Sequence, residues 1–461
     1  MLTTTGSARG DALAYAPALR AGVFSFLYAY AVFYLAQIWF LPALGLSNAE
    51  GLIGGDPQYY HQLALRTADA IRDDGLAAWK ARPDGQGIAG IGALVYYWFG
   101  PSPQVFVLLN AVLHGVSAAV LWVFAERIAG RALAKYAVIP VILAPYQMAW
   151  FSQPNKDSFV MAGALLYFLG LYLLLGRGGI QRHSRILLTL SAMFLGIALV
   201  ALMRPYLVDI LLVASTGVMV LLGLYRARER NAGVAGQRRS AFGAVALVVV
   251  ANLSLLGANV ATKSAASDLT IETLSQTDMR ERYPEWMASQ WLPGWLDERL
   301  FVIAYQRLYF AGIADSPNAT SRDLLVEWDR RFEGAADFLA YLPRAVQLGF
   351  LAPFPQDWGA FNAARGSAFR NLVQVDMLFV YVALVALLWA MFGRFLSISI
   401  TAPLSIAAIV IVMYGMATPH IGALNRYRYP FLGFVTCVGL AQLLAMIATR
   451  RQTTGAGRSM Q

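Results

Sequence analysis

The 461-residue sequence holds a single cysteine, Cys437. That excludes a disulfide framework and any cysteine-built metal site. Histidine is nearly as scarce. His61, His114, His183 and His420 stand far apart, and no two have the HxxH or HxxxH spacing that would place both on one ion. Charge is the third shortage. Only 13% of residues are charged against 58% hydrophobic, and the mean hydropathy is +0.54. A soluble domain has about a quarter of its residues charged, so this chain lacks the means to coat a water-facing surface. It is also far too apolar to remain disordered.

Long uncharged runs take the place of charge. A helix needs about 20 mostly apolar residues to cross a bilayer. Runs of that kind lie at 21–46, 102–125, 136–154, 158–176, 186–203, 210–225, 241–262, 377–393, 395–417 and 429–449. The expected fold is an all-α polytopic membrane protein with about ten transmembrane helices. The first run, about 26 residues long, exceeds the roughly 7–15-residue apolar core of a secretory signal, and is expected to stay as an anchored helix. The run 88–99 is too short to cross and is expected to be interfacial or re-entrant.

The net charge is +10. With a cytoplasmic N-terminus, every short inner loop carries a Lys/Arg excess, as the positive-inside rule asks. The long segment 265–371 then falls outside, with ten basic and fourteen acidic residues, so its balance is negative. The expected topology has both termini inside. Its parts are an N-terminal stretch 1–20, a bundle 21–262 with a first extracytoplasmic loop 47–100, a large extracytoplasmic loop 263–376, C-terminal helices 377–449 and a cytoplasmic tail 450–461. Spread along several loops, the basic residues form no groove of the kind nucleic acid requires; no nucleic-acid partner is expected, and membrane lipids are. Within the large loop, Leu325, Trp328, Phe332, Ala336 and Leu339 recur at helical spacing, which predicts an amphipathic interfacial helix over 323–341.

Four polar islands fall on the expected outer face. Gly54-Gly55-Asp56-Pro57-Gln58-Tyr59-Tyr60-His61 follows the first span. Asp56 before Pro57 suits a helix start, and equally a carboxylate held at the membrane surface. Pro154-Asn155-Lys156-Asp157-Ser158 separates the third and fourth spans. A lysine between two apolar helices is a costly choice for a turn, and a compact cation can hold phosphate. Arg204-Pro205-Tyr206 follows the fifth span, with Asp209 one turn on as a candidate partner. Thr418-Pro419-His420 and Asn425-Arg426-Tyr427-Arg428-Tyr429-Pro430 precede the last span. Two outer arginines run against the positive-inside trend, and a guanidinium fork fits phosphate oxygens. Gly85-Gln86-Gly87-Ile88-Ala89-Gly90 spells a dinucleotide-type GxGxxG. It follows no strand, so close approach of the backbone to the membrane or to another helix is the expected use.

Four short signatures, GGDPQYYHQLA with Asp56, PNKDS, PFPQDW and RYRYP, together resemble the GT-C glycosyltransferases, integral-membrane enzymes that use polyprenyl-phosphate-linked sugars. RYRYP is similar to the R-x-R-x-P of many bacterial members. The resemblance covers nearly the whole chain as architecture. It departs from several branches in lacking an acidic pair in the first outer loop, where Asp56 stands between Gly55 and Pro57. It implies a bacterial inner-membrane enzyme working on the extracytoplasmic face, with a polyprenyl-phosphate-linked sugar as donor and a glycan, lipid or protein as acceptor. Asp56 is then the candidate base. Lys156, Arg204, Arg426 and Arg428 are the candidate phosphate ligands, and His420, Tyr59 and Tyr60 orient acceptor or phosphate. A divalent cation, Mg or Mn, would find Asp56 and Asp157 as its oxygen ligands. Two alternatives compete: a polysaccharide polymerase or ligase acting on lipid-diphosphate glycans, and a non-enzymatic lipid-linked-sugar flippase or transporter.

Overall fold

The computed structural model of the chain describes residues 5–175, 183–228, 248, 252, 276–314, 324–358, 367–392 and 396–458. Among these the chain is all-helical apart from isolated bridges. Eight helices are long and apolar enough to cross a membrane, and a bent pair makes a ninth. Nine of the ten expected spans are thus found as helix, and the tenth, 241–262, lies outside the described residues except for Val248 and Asn252. Large apolar side chains such as Phe194, Leu221, Val385 and Phe392 point outward from these helices, a surface made for hydrocarbon.

The first span, α1 (Thr5–Leu35), continues to Ala43. Next come α2 (Asp56–Asp74) and α3 (Gly87–Phe99), which pack on each other. The second is α4 (Pro103–Ala129). The third is broken into α5 (Arg131–Ile142) and α6 (Pro145–Phe151), bent by 63°. Pro145 sets the break: it lacks an N–H and drives Ala144 out of helical conformation, to ψ 107. Then follow α7 (Asp157–Leu175), α8 (His183–Met203) and α9 (Pro205–Arg228). α7 and α8 touch at Gly163 and Gly196, where an added Cβ would stand 2.7 Å and 2.5 Å from the facing carbonyl oxygen.

The large loop contributes α10 (Gln276–Arg282), α11 (Gly294–Ala314), α12 (Ala335–Ala340) and α13 (Leu342–Leu351). The last spans are α14 (Ser367–Phe392), α15 (Ile398–Ala417) and α16 (Ile421–Arg458). α16 is the bundle's axis, packed against α4, α5, α7, α14 and α15. It begins before the expected 429, which places Arg426 and Arg428 inside the helix.

The helix expected over 323–341 is not formed. Backbone at 325–326 pairs with the turn before α16 instead: Leu325 bridges His420, and Val326 N–H donates to Pro419 O at 2.7 Å. Glu327 then takes a left-handed φ of 49, and helix starts only at Ala335. Of the apolar residues that suggested a stripe, Phe332 is fully buried while Trp328 and Leu339 are exposed.

Candidate functional site

Residues from all four polar islands meet at one end of the bundle. Asp56 opens α2, with Pro57 in the first turn. Asn155, Lys156 and Asp157 form the turn into α7. Arg204 is the single residue between α8 and α9, and Arg426 lies one turn into α16. The convergence agrees with the order of spans. Two crossings separate Asp56 from Asp157 if the bent pair counts as one, and two more separate Asp157 from Arg204.

Asp157 is the centre, 1% exposed. Arg204 Nη2 donates to its Oδ1 at 2.6 Å, and Arg426 Nε donates to its Oδ2 at 3.0 Å. Asp157, and not the candidate Asp209, is thus the carboxylate that Arg204 is seen to pair with. Arg426 also donates from Nη1 to Asp56 Oδ2 at 3.3 Å and from Nη2 to Asn155 Oδ1 at 2.9 Å. Each guanidinium lies on an aromatic face, Arg426 over Trp150 and Arg204 over Tyr427, both at 4.1 Å. Asp56 differs from Asp157: its side chain is 45% exposed, and its Oδ1 has no hydrogen-bond partner among the described residues.

Three donors are left over. Arg204 Nη1 and Asn155 Nδ2 are buried with no hydrogen-bond partner among the described residues. Lys156 Nζ stands 5.2 Å from the Tyr60 ring centre, with no carboxylate within 4 Å among the described residues. Burial, and secondly the Arg204 charge, push its ammonium down to about 8. Burial raises the Tyr60 phenol well above its ordinary range, and Asp56 adds to it. The three cations and two carboxylates of the cluster leave one positive charge uncompensated. A multi-acceptor anion is the ligand that would complete such a set.

The other candidates divide. Tyr60 is buried under Lys156, and Tyr59 touches it with its ring tilted by 55° while remaining 43% exposed. The His420 Nδ1 accepts the Ala423 N–H at 3.0 Å and so caps the start of α16. Arg428 does not join the cluster. It lies two residues beyond Arg426, about 200° round a helix, and its Nη1 donates to Leu348 O and Gly349 O at 2.7 Å each. It caps the C-terminal carbonyls of α13 and bolts the loop to the bundle. The PFPQDW turn is likewise a fastening: Trp358 Nε1 donates to Pro353 O at 3.1 Å, and Tyr381 OH donates to Leu351 O at 2.8 Å.

Among the described residues, the expected pair Asp56 and Asp157 does not fit a divalent ion: both oxygens of Asp157 already accept from arginines, and Asp56 Oδ2 pairs with Arg426. No group of three or more His, Cys, Asp or Glu residues able to hold a metal occurs among the described residues.

Several supporting residues carry no motif. Asn110 Nδ2 donates to Phe151 O and Gln153 O at 2.9 and 2.7 Å, while its Oδ1 accepts from Ser158 at 2.7 Å. Gln153 clamps the stretch before Asp56, accepting from Ile53 N–H at 2.9 Å and donating to Gly51 O at 3.1 Å. The signal available for them was an amide inside or at the end of an apolar span. Gly87 shows the close approach expected of the GxGxxG stretch, since a Cβ there would lie 2.0 Å from Leu202 O. That seats α3 against the end of α8, beside Arg204. Comparison of the chain with protein-family models, curated proteins and solved structures finds no match.

Proposed function

We propose that the chain is a membrane glycosyltransferase of the GT-C kind, which moves a sugar from a polyprenyl-phosphate-type donor to a glycan, lipid or protein acceptor on the extracytoplasmic face. The observation that carries this reading is the set of three unmatched donors, Arg204 Nη1, Asn155 Nδ2 and Lys156 Nζ, within a cluster of net charge +1 beside an exposed carboxylate. The donor's phosphate completes those donors. The acceptor hydroxyl gives its proton to Asp56 Oδ1 as its oxygen bonds to the anomeric carbon. The bond from that carbon to the phosphate oxygen breaks, and the phosphate leaves with the electron pair. Its extra negative charge falls on Lys156 and Arg204, which are already fixed in place and need no reorganisation. The positive-inside bias supports the orientation, and these fixed cations supply charge neutralisation at the phosphate.

The test is purified Asp56→Asn protein supplied with a labelled lipid-phosphate sugar, the acceptor being identified by mass analysis of glycans and lipids from a deletion strain. Sugar transfer should fall by about 10²–10⁴-fold while donor binding is retained. Full transfer by Asp56→Asn discards the base. Movement of labelled lipid-sugar across proteoliposomes without product would replace the enzyme by a flippase.

A further inference from the structure

A second set of buried polar groups lies below the cluster, where α5, α6, α14 and α16 meet. They surround a cavity of about 30 Å³ whose wall includes Val141, Gln147, Asp376, Val380, Arg428 and Leu432. Arg428 is 1% exposed, yet it has no carboxylate within 4 Å among the described residues, and every oxygen it reaches is a carbonyl or amide oxygen. A guanidinium so deeply buried with no counter-charge is costly by several kcal/mol. Among the described residues, Asp376 is the one carboxylate on the cavity wall. Its carboxyl accepts the backbone N–H of Tyr146, in the first turn of α6.

Three atoms of these wall residues are buried with no hydrogen-bond partner among the described residues: Asp376 Oδ2, Gln147 Oε1 and Arg428 Nε. Two accept and one donates. A water molecule accepts from one donor and donates to two acceptors, and the cavity exceeds the roughly 10–15 Å³ that a water requires.

We infer that Asp376 is the counter-ion of Arg428, acting through a buried water that also binds Gln147. Arg428 holds the C-terminal end of α13, while Asp376 holds the N-terminal turn of α6, the helix that carries Trp150 and leads into the Asn155–Asp157 turn. The hydrated pair thus fastens the outer loop and the broken span to the same point of α16. Asp376 is a positioning residue, whatever reaction the cluster above it serves.

Full-length protein in nanodiscs tests this by thermal unfolding of Asp376→Leu, Arg428→Met and the double variant, with hydrogen exchange across residues 145–151. Each single change strands one charge. The double change should therefore lose less than the two single losses combined, by about tenfold or more in the folded-to-unfolded ratio. Exchange at 145–151 should rise in both variants that lack Asp376, and stay near wild type in Arg428→Met. Losses that simply add, or unchanged exchange at 145–151 without Asp376, overturn the inference. If the single variants do not fold, a high-resolution map of the wild-type protein decides. Density for a water within hydrogen-bond distance of all three atoms supports the pair, and a dry cavity refutes it.

Discussion

Replacing Lys156 with Met removes the ammonium without removing its stem. In the proposed reaction the departing phosphate gains one negative charge. A unit charge about 4 Å away across an effective dielectric of about 20 is worth about 4 kcal/mol. Arg204 and Asn155 remain to take part of that load, so a loss of about 2–3 kcal/mol is expected, about 30- to 160-fold in kcat. The pH dependence gives an independent reading. Folding lowers the Lys156 pKa from its ordinary 10.5 to about 8, chiefly by burial. The unfolded chain therefore binds more protons between about 8 and 10.5, and this group makes the folded state more stable as pH rises through that window. Catalysis moves the opposite way. It needs the charged ammonium, so kcat/KM should fall as pH passes about 8 while thermal stability does not. Transfer assays from pH 6 to 10, alongside unfolding in the same buffers, separate the two effects. Lys156→Arg should keep part of the activity and shift the alkaline limb upward. Wild-type kcat in Lys156→Met, or an alkaline limb near 8 that survives the change, would refute the reasoning.

Asp157→Asn takes the shared anion from two buried guanidiniums and should cost about 3–5 kcal/mol of stability, seen as a lower unfolding temperature in detergent. Gly415→Ala would put a Cβ 2.2 Å from Ala345 O. It should force α13 off α15 at a cost of about 1–3 kcal/mol, measured the same way, whereas Gly217→Ala, with nothing within 4 Å of its Cβ, should be nearly neutral.

The spans and the four polar islands were legible in the sequence because both rest on local composition. An apolar run of 20 residues has few uses other than crossing a bilayer, and Asp56, Lys156, Arg204 and Arg426 stand out against such runs. The parity of crossings then placed them at one face. Direction round a helix was not legible. Arg426 and Arg428 read as a pair in RYRYP, but once α16 is found to begin at Ile421 they point apart, one into the cluster and the other to the end of α13. The stripe over 323–341 failed for a related reason. Its periodicity was real, but the backbone groups of 325–326 had better partners in the turn before α16, and a tertiary contact overrode a local pattern. Arg307 gave no signal in its own run. It is 1% exposed, with Nη1 donating to Met416 O at 3.1 Å and Nη2 to Glu327 O at 2.7 Å. Nothing in the sequence around it announces a buried clamp between loop and bundle.

The energetics of the cluster bear on why it exists. Burying Asp157 between two guanidiniums gives little net stability, since well-packed apolar residues would serve as well or better. A polar network that leaves donors unmatched is worse still than an apolar core. Elsewhere the fold seats its buried arginines on backbone: Arg307 reaches three carbonyls, and Arg428 reaches three carbonyls and an amide oxygen, and each leaves only its Nε without a partner among the described residues. In the cluster, unmatched donors from three residues, Arg204, Asn155 and Lys156, gather beside Asp56, its solvent-reached carboxylate. In the proposed reaction that place belongs to the donor's phosphate, which has to be both received and released.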